Sequence, residues 1–308
     1  MHHIEEDLIN HGNILFSDGS SLKTTNGINT SLIAGKASMH GYYESTGDTA
    51  RFRRITGFLQ TASLVLAVDS GNRCLRTIKR STHKTWPVSG HCRGVDPISH
   101  KAVSFISPSK IMYDVRTKKK VFIIDYKKIY LFRFLLASTI EYLNTTTEIR
   151  GLTQDSATGD LYVLFKQFIT WVKYNDVKVN RLVAGTPSSL SLFSEGPFTQ
   201  SRFGDLRDVV LINNGTKILV ADFRSQRMRV LDLRVNITTS FCGHVDQFCN
   251  NSIVLESLGV VNGSLYIGSN KSIMRIQGAA SIPATKKDIL NSSMYIYVCK
   301  SKAVLSPS

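Results

Sequence analysis

The chain has 308 residues, 42% hydrophobic and 20% charged, with 38 Lys and Arg against 23 Asp and Glu for a net charge of +15. That balance excludes a disordered tail, and the length excludes a small scaffold that needs cross-links to fold. No apolar run is long enough for a membrane helix, because the most apolar stretch, Ile129 to Leu143, is broken by Arg133 and Glu141.

Along the chain, a strand that ends at a turn and resumes as a second strand recurs about every 50 residues. The first copy is short, ILFSDGSSLKTT (Ile14 to Thr25). Then follow VLAVDSGNRCLRTI (Val65 to Ile78), VFIIDYKKIYLFRF (Val121 to Phe134), LYVLFKQFITWVKY (Leu161 to Tyr174), ILVADFRSQRMRVLDL (Ile218 to Leu233) and LYIGSNKSIMRIQG (Leu265 to Gly278). Each is a β-hairpin. Flanking strands such as ITGFLQ (Ile55 to Gln60) and TWPVSG bring each unit to four antiparallel strands. The pattern predicts an all-β fold, a six-bladed β-propeller. Residues 1–300 are expected to form this single propeller, with 301–308 as a tail and Met294 to Cys299 as a last strand.

The leading strand of each hairpin is almost continuously apolar, as expected for a strand buried on both faces. Asp18, Asp69, Asp125 and Asp222 stand where it turns into the next. A carboxylate there can accept turn N–H groups, so these four are expected to be structural. Phe165 and Ser269 take that place in the fourth and sixth units. Longer loops precede some units, at Gly35 to Phe52, Gly90 to Phe105 and Gly185 to Phe203. Their repeated Phe should pack between blades, while the loops project at one rim.

Five cysteines form no CxxC pair. Hairpin register with a one-residue bulge places Cys74 beside Cys92, and Cys242 and Cys249 flank a loop of six residues, so two disulfides are expected. Cys299 is left over. Asn-x-Ser/Thr occurs at Asn29, Asn144, Asn214, Asn236, Asn250, Asn262, Asn270 and Asn291, more often than chance would place it. Both signals point to an extracellular glycoprotein. Met1-His-His-Ile-Glu-Glu has no basic or apolar signal region, so the expectation is a secreted protein or ectodomain whose signal or anchor lies outside this sequence.

These elements together resemble the NHL repeat. The resemblance rests on Gly47, Ala50-Arg51-Phe52, Ala67-Val68-Asp69, Asn72 to Ile78 and Val88-Ser89-Gly90. It returns at Ser201-Arg202-Phe203, Val220-Ala221-Asp222 and Gln226 to Arg229, with closing strands at Leu32 to Gly35 and Leu182 to Gly185. The placement of Cys74 and Cys92 is similar to extracellular animal NHL propellers. The resemblance implies four-stranded blades of NHL type and one of three roles. These are a protein- or glycan-binding module, an RNA-binding propeller, or a hydrolase or lyase with a central metal.

An amidating lyase would need converging histidines. His2, His3, His11, His40, His83, His91, His100 and His244 do not repeat at matching central positions. Calcium-dependent catalysis would need inward carboxylates, and the aspartates belong to turns. The reading is therefore non-enzymatic: no catalytic residue, metal or cofactor, a protein or glycan ligand at one rim, and no membrane insertion. Nucleic acid is the lesser alternative, supported by the charge, whose densest run is Lys118 to Lys120.

Overall fold

The computed structural model describes residues 4–92, 103–117, 119–136, 138–187, 193–242, 257–261, 264–268, 272–276 and 296–300. The first sheet joins β1 (Ile4–Glu6), β2 (Ile14–Ser17), β3 (Ser21–Thr25) and β4 (Thr30–Gly35) in order. The second joins β5 (Ile55–Gln60), β6 (Leu64–Asp69), β7 (Cys74–Lys79) and β8 (Thr85–Gly90). The third holds β9 (Pro108–Tyr113), β10 (Lys120–Asp125), β11 (Lys128–Arg133) and β12 (Ser138–Asn144), and the fourth β13 (Ile149–Gln154), β14 (Leu161–Phe165), β15 (Phe168–Lys173) and β16 (Asp176–Gly185). The fifth runs β18 (Leu206–Ile212), β19 (Lys217–Asp222), β20 (Arg227–Asp232) and β21 (Ile237–Cys242), with the two-residue β17 (Gly196–Pro197) at its outer edge. A further sheet joins β22 (Ser257–Val261), β23 (Ser264–Gly268), β24 (Ser272–Ile276) and β25 (Ile296–Lys300).

The protein is thus an all-β propeller of antiparallel four-stranded blades. Five of the expected six blades are described with both backbone and side chains; few side chains of the last sheet are described, and residues 277–295, which lead into β25, lie outside the described residues.

First strands lie innermost, with β5 beside β9, β13 beside β18, and β18 beside β22, while β1 also lies beside β22. Last strands form the outer edge. β16 shows this, with a run of exposed residues before its buried end at Ala184 and Gly185.

The cores lie between successive blades, which explains the apolar second strands. In β6, Val65 and Ala67 pack toward the first blade with Leu15, Leu22 and Phe58, whereas Leu66 and Val68 pack toward the third with Ile111, Val121 and Ile123. β10 repeats the division, Phe122 and Ile124 facing the fourth blade. A strand buried on both faces needs apolar side chains at every position, and each contributes roughly 1.5–3 kcal/mol.

In the third strands, alternation in RMRVLDL puts Met228 and Val230 on one face and Arg227 and Arg229 on the other, and Arg229, like Arg76, is among the largest fully buried side chains.

The N-terminal segment is fixed by a buried pair. Asp7 accepts hydrogen bonds from Arg80, Thr24 Oγ1 at 2.6 Å, Asn10 Nδ2 and the Ile9 amide. Burial alone would raise its carboxyl, but these donors outweigh burial and hold it well below its ordinary value of 3.8. A depressed folded-state value gives stability that is present above the unfolded value and is lost as pH falls. Acid titration should therefore show a loss of stability beginning near pH 4, and Asp7→Asn should flatten it. An unchanged acid limb in that variant would remove Asp7 as the group responsible. Asp125 has the opposite sign. Burial raises it despite the Ile106 and Ser107 amides, so its ionisation opposes folding as pH rises.

Candidate functional site

The site is built on a joint that repeats at three junctions. Each closing strand ends in a glycine with positive φ: Gly35 at +89°, Gly90 at +90° and Gly185 at +85°. A Cβ there would stand 3.1, 2.7 and 2.8 Å from the rings of Phe52, Phe105 and Phe203, which open the following blade. These rings are at most 2% exposed. The junction after the third blade has neither partner, since β12 ends in Asn144 and no Phe precedes β13.

Immediately after each Phe, two consecutive amides donate to the blade's turn aspartate. Arg53 and Arg54 donate to Asp69 at 3.1 Å, Ile106 and Ser107 to Asp125, and Gly204 and Asp205 to Asp222. These carboxylates therefore hold the incoming loop more than their own turn. Asp18 differs, accepting the Ser21 amide and hydroxyl and pairing with Lys23.

In blades two and five the same carboxylates face buried arginines. Arg76 lies 3.1 Å from Asp69 and donates to the carbonyls of Arg51 and Tyr43, with Glu44 3.1 Å from its Nε. Its guanidinium rests 4.1 Å from the centre of the Phe52 ring. Arg229 repeats this with the carbonyls of Arg202 and Ser194 and the Phe203 ring at 5.0 Å. Burial pulls Arg229 down to about 10 against the attraction of Asp222 and Glu195, so it stays cationic at neutral pH. Each arginine thereby clamps a rim loop closed by a bridge, Tyr43 to Arg51 or Ser194 to Arg202. In blade three Tyr130 pairs with Ile123 at the corresponding place and packs edge-on against Phe105.

Cys74 and Cys92 form a disulfide with Cα atoms 5.3 Å apart. Cys74 pairs with Gly90 across the strands, and the bulge between Leu75 and Arg76 sets that register. Replacing both cysteines by alanine should cost about 2–4 kcal/mol in urea unfolding. A loss below about 0.5 kcal/mol would mean that the neighbouring joint holds the junction alone. The side chain of Cys242 and all of Cys249 lie outside the described residues. So does the side chain of Cys299, whose backbone pairs with Ile273. Asn29, Asn144, Asn214 and Asn236 are exposed, the last two in turns with positive φ. Asn250, Asn262, Asn270 and Asn291 lie outside the described residues.

Between the second and third blades these elements enclose a groove of about 940 Å³. It is lined by Arg53 and Arg54, by the turn Ser70 to Arg73, by Ser104 to Ser107, and by His40 and His91. Arg53 lies across Gly71, where any Cβ would collide with its stem at 2.6 Å. His40 Nδ1 is 3.0 Å from the Arg53 carbonyl. Two of the expected rim loops supply residues here. The arginines went unremarked in the sequence reading, although Arg53-Arg54 is visible when Phe52 and Phe203 are aligned. Of the dense basic run, Lys119 and Lys120 do not line it and Lys118 lies outside the described residues, while Arg116 is engaged with the Ala157 carbonyl.

A cavity of about 90 Å³ is lined by residues of the third, fourth, fifth and last sheets, among them Lys110, Leu152, Asp208 and Leu258. Lys110 Nζ pairs there with Asp208, whose other oxygen accepts the Leu258 amide at 2.9 Å, tying three sheets together. Among the described residues no three His, Cys, Asp or Glu side chains converge as a metal site, and no helix is long and apolar enough to cross a membrane.

No protein-family model matches the chain, and no curated protein matches its sequence. Solved structures share its fold. An auxiliary nutrient binding protein from Bacteroides ovatus ATCC 8483 superposes with a TM-score of 0.64 at 11% identity, covering 87% of this chain and 66% of its own. Its counterpart from Bacteroides thetaiotaomicron VPI-5482 gives 0.64 at 10% identity with the same coverage. A chain of a nidogen/laminin complex gives 0.60 at 12% identity, covering 93% of this chain and 98% of its own. The present chain spans just under two thirds of the two nutrient binding proteins. At these identities the likeness shows a shared β-propeller and nothing finer.

Proposed function

We propose that this chain is a non-catalytic, extracellular interaction module, a six-bladed NHL-type propeller over residues 1–300, that takes a protein or glycan ligand at one rim. The observation that carries the proposal is the rim groove bounded by the Cys74–Cys92 disulfide. The bridge joins the residues that directly follow two groove-lining side chains, Arg73 and His91. A binding surface braced in this way suits an oxidising compartment. Support also comes from the exposed sequons at Asn29, Asn144, Asn214 and Asn236, and from the proximity of β1 to β22, as a closed sixth blade requires. Of the three similar structures, two are auxiliary nutrient binding proteins and one belongs to a nidogen/laminin complex, in keeping with a binding role.

The test is secretion of the chain behind an added leader, followed by binding to an array of extracellular proteins and glycans. Ser104→Trp, at an exposed position on the groove wall, blocks the groove without changing charge. Retention on the array by the parent chain and its loss in this variant would support the reading. Equal binding by both would remove the rim groove as the ligand site.

A further inference from the structure

We infer that the groove between the second and third blades binds the anionic groups of a sulfated glycan, with Arg53, Arg54 and Arg73 as the sulfate-contacting residues. The inference rests on the proposed binding role and names its ligand class.

The first argument is unbalanced charge. All three arginines are exposed, and none has an ion-pair partner among the described residues. Among the described residues no acidic side chain lines the groove. The carboxylates beneath it are consumed, Asp69 by Arg76 and two amides, Asp125 by two amides, and both are essentially unexposed. Elsewhere the basic excess is partly neutralised, as at Lys23, Lys128, Arg150, Arg207, Arg227 and Arg234, on the first, third, fourth and fifth blades.

The second argument is an internal control. Blade five carries the same joint, the same aspartate and the same buried arginine, yet Gly204, Asp205 and Gln226 stand where blade two has Arg53, Arg54 and Arg73. Gln226 adopts the same left-handed turn, φ 52° against 57° for Arg73. The fold therefore does not require the three charges. Guanidinium groups present paired donors that match sulfate oxygens, and three of them around an open groove suit an extended polyanion.

The third argument selects a glycan over single-stranded nucleic acid. Nucleic acid of that kind is held by stacking its bases on exposed aromatic rings. Among the described residues lining the groove, the one Phe, Tyr or Trp is Phe105, which is 2% exposed and committed to the blade joint. The disulfide at the groove's edge places the site outside reducing compartments.

The experiment measures, by calorimetry in 0.15 M salt, binding of a heparin-derived hexasaccharide and of a single-stranded RNA of equal charge. The proteins compared are the secreted parent chain, Arg53→Gln/Arg73→Gln, and Lys178→Gln/Arg181→Gln. The last removes the same charge from the exposed outer strand β16. The expected result is a hexasaccharide affinity at least tenfold weaker in the groove variant and within twofold of the parent in the β16 variant. RNA should bind more weakly than the hexasaccharide. Equal losses in both variants, preference for RNA, or no hexasaccharide binding would overturn the inference. Array binding that Ser104→Trp abolishes and Arg53→Gln/Arg73→Gln leaves intact would overturn the sulfate assignment while sparing the rim-binding role. Loss of neither would end both.

Discussion

Replacing Arg76 by methionine should lower the unfolding free energy by about 3–5 kcal/mol, because it strands a buried carboxylate. Asp69 has no exposed surface, and among the described residues its only charged partner within 4 Å is this guanidinium. The variant also leaves the carbonyls of Arg51 and Tyr43 without their buried donor, so the rim loop loses its clamp. Urea unfolding reads the loss directly. Adding Asp69→Asn should restore part of it, since the amide oxygen still accepts from Arg53 and Arg54 while the stranded charge is gone. A single-variant cost below about 1 kcal/mol would show that the pair stabilises no more than an exposed one. Failure of Asp69→Asn to restore any stability would assign the loss to arginine packing alone. In blade five the charges stand farther apart, 3.8 Å for Arg229 and Asp222, so the recovery there should be smaller.

Gly185→Ala should be nearly as damaging, at roughly 2–5 kcal/mol, the sum of left-handed backbone strain and forced overpacking. Its added Cβ would fall 2.3 Å from the Gln167 carbonyl oxygen and 2.8 Å from the Phe203 ring. Backbone cannot move out of the way as a flexible side chain can. Gly12→Ala separates the two causes. Gly12 has φ +88° but nothing within 4 Å of the added carbon, so only the conformational cost should appear there. Equal shifts in the urea midpoints of the two variants would mean that the Gly–Phe contact adds nothing beyond dihedral strain.

The architecture was legible because a propeller repeats its signals. The hairpin around Asp69 reads the same as that around Asp222, and both sit in matching registers. The bulge that brings Cys74 to Cys92 was legible for the same reason, as a count along one hairpin. The buried arginines were not. Strand alternation puts Arg229 on the face opposite Met228 and Val230, and only the inter-blade packing reveals that both faces of the third strand are covered, so a charged side chain must find its partners inside. The groove was hidden for a different cause. Its walls come from residues 40, 53–54, 70–73 and 104–107, which only the stacking of adjacent blades brings together. The blade count was read from repeat spacing. That spacing is loosest after Gly278, where Ala279 to Asp288 fits no copy.

Asp69 grips the residues after Phe52 through their main-chain N–H groups, and Asp222 grips the residues after Phe203 in the same manner. A handhold on the peptide group is indifferent to the side chain attached. Glycine, aspartate, isoleucine, serine and arginine all occupy these positions in one chain without altering the joint. The propeller thus separates the letters from the page on which they are written. Under the proposed role of the groove, ligand preference can drift, or be rewritten by exchanging residues 53, 54 and 73 for their blade-five counterparts, while folding proceeds as before. Transplanting the three arginines to positions 204, 205 and 226 would offer a second reading surface on the same disc.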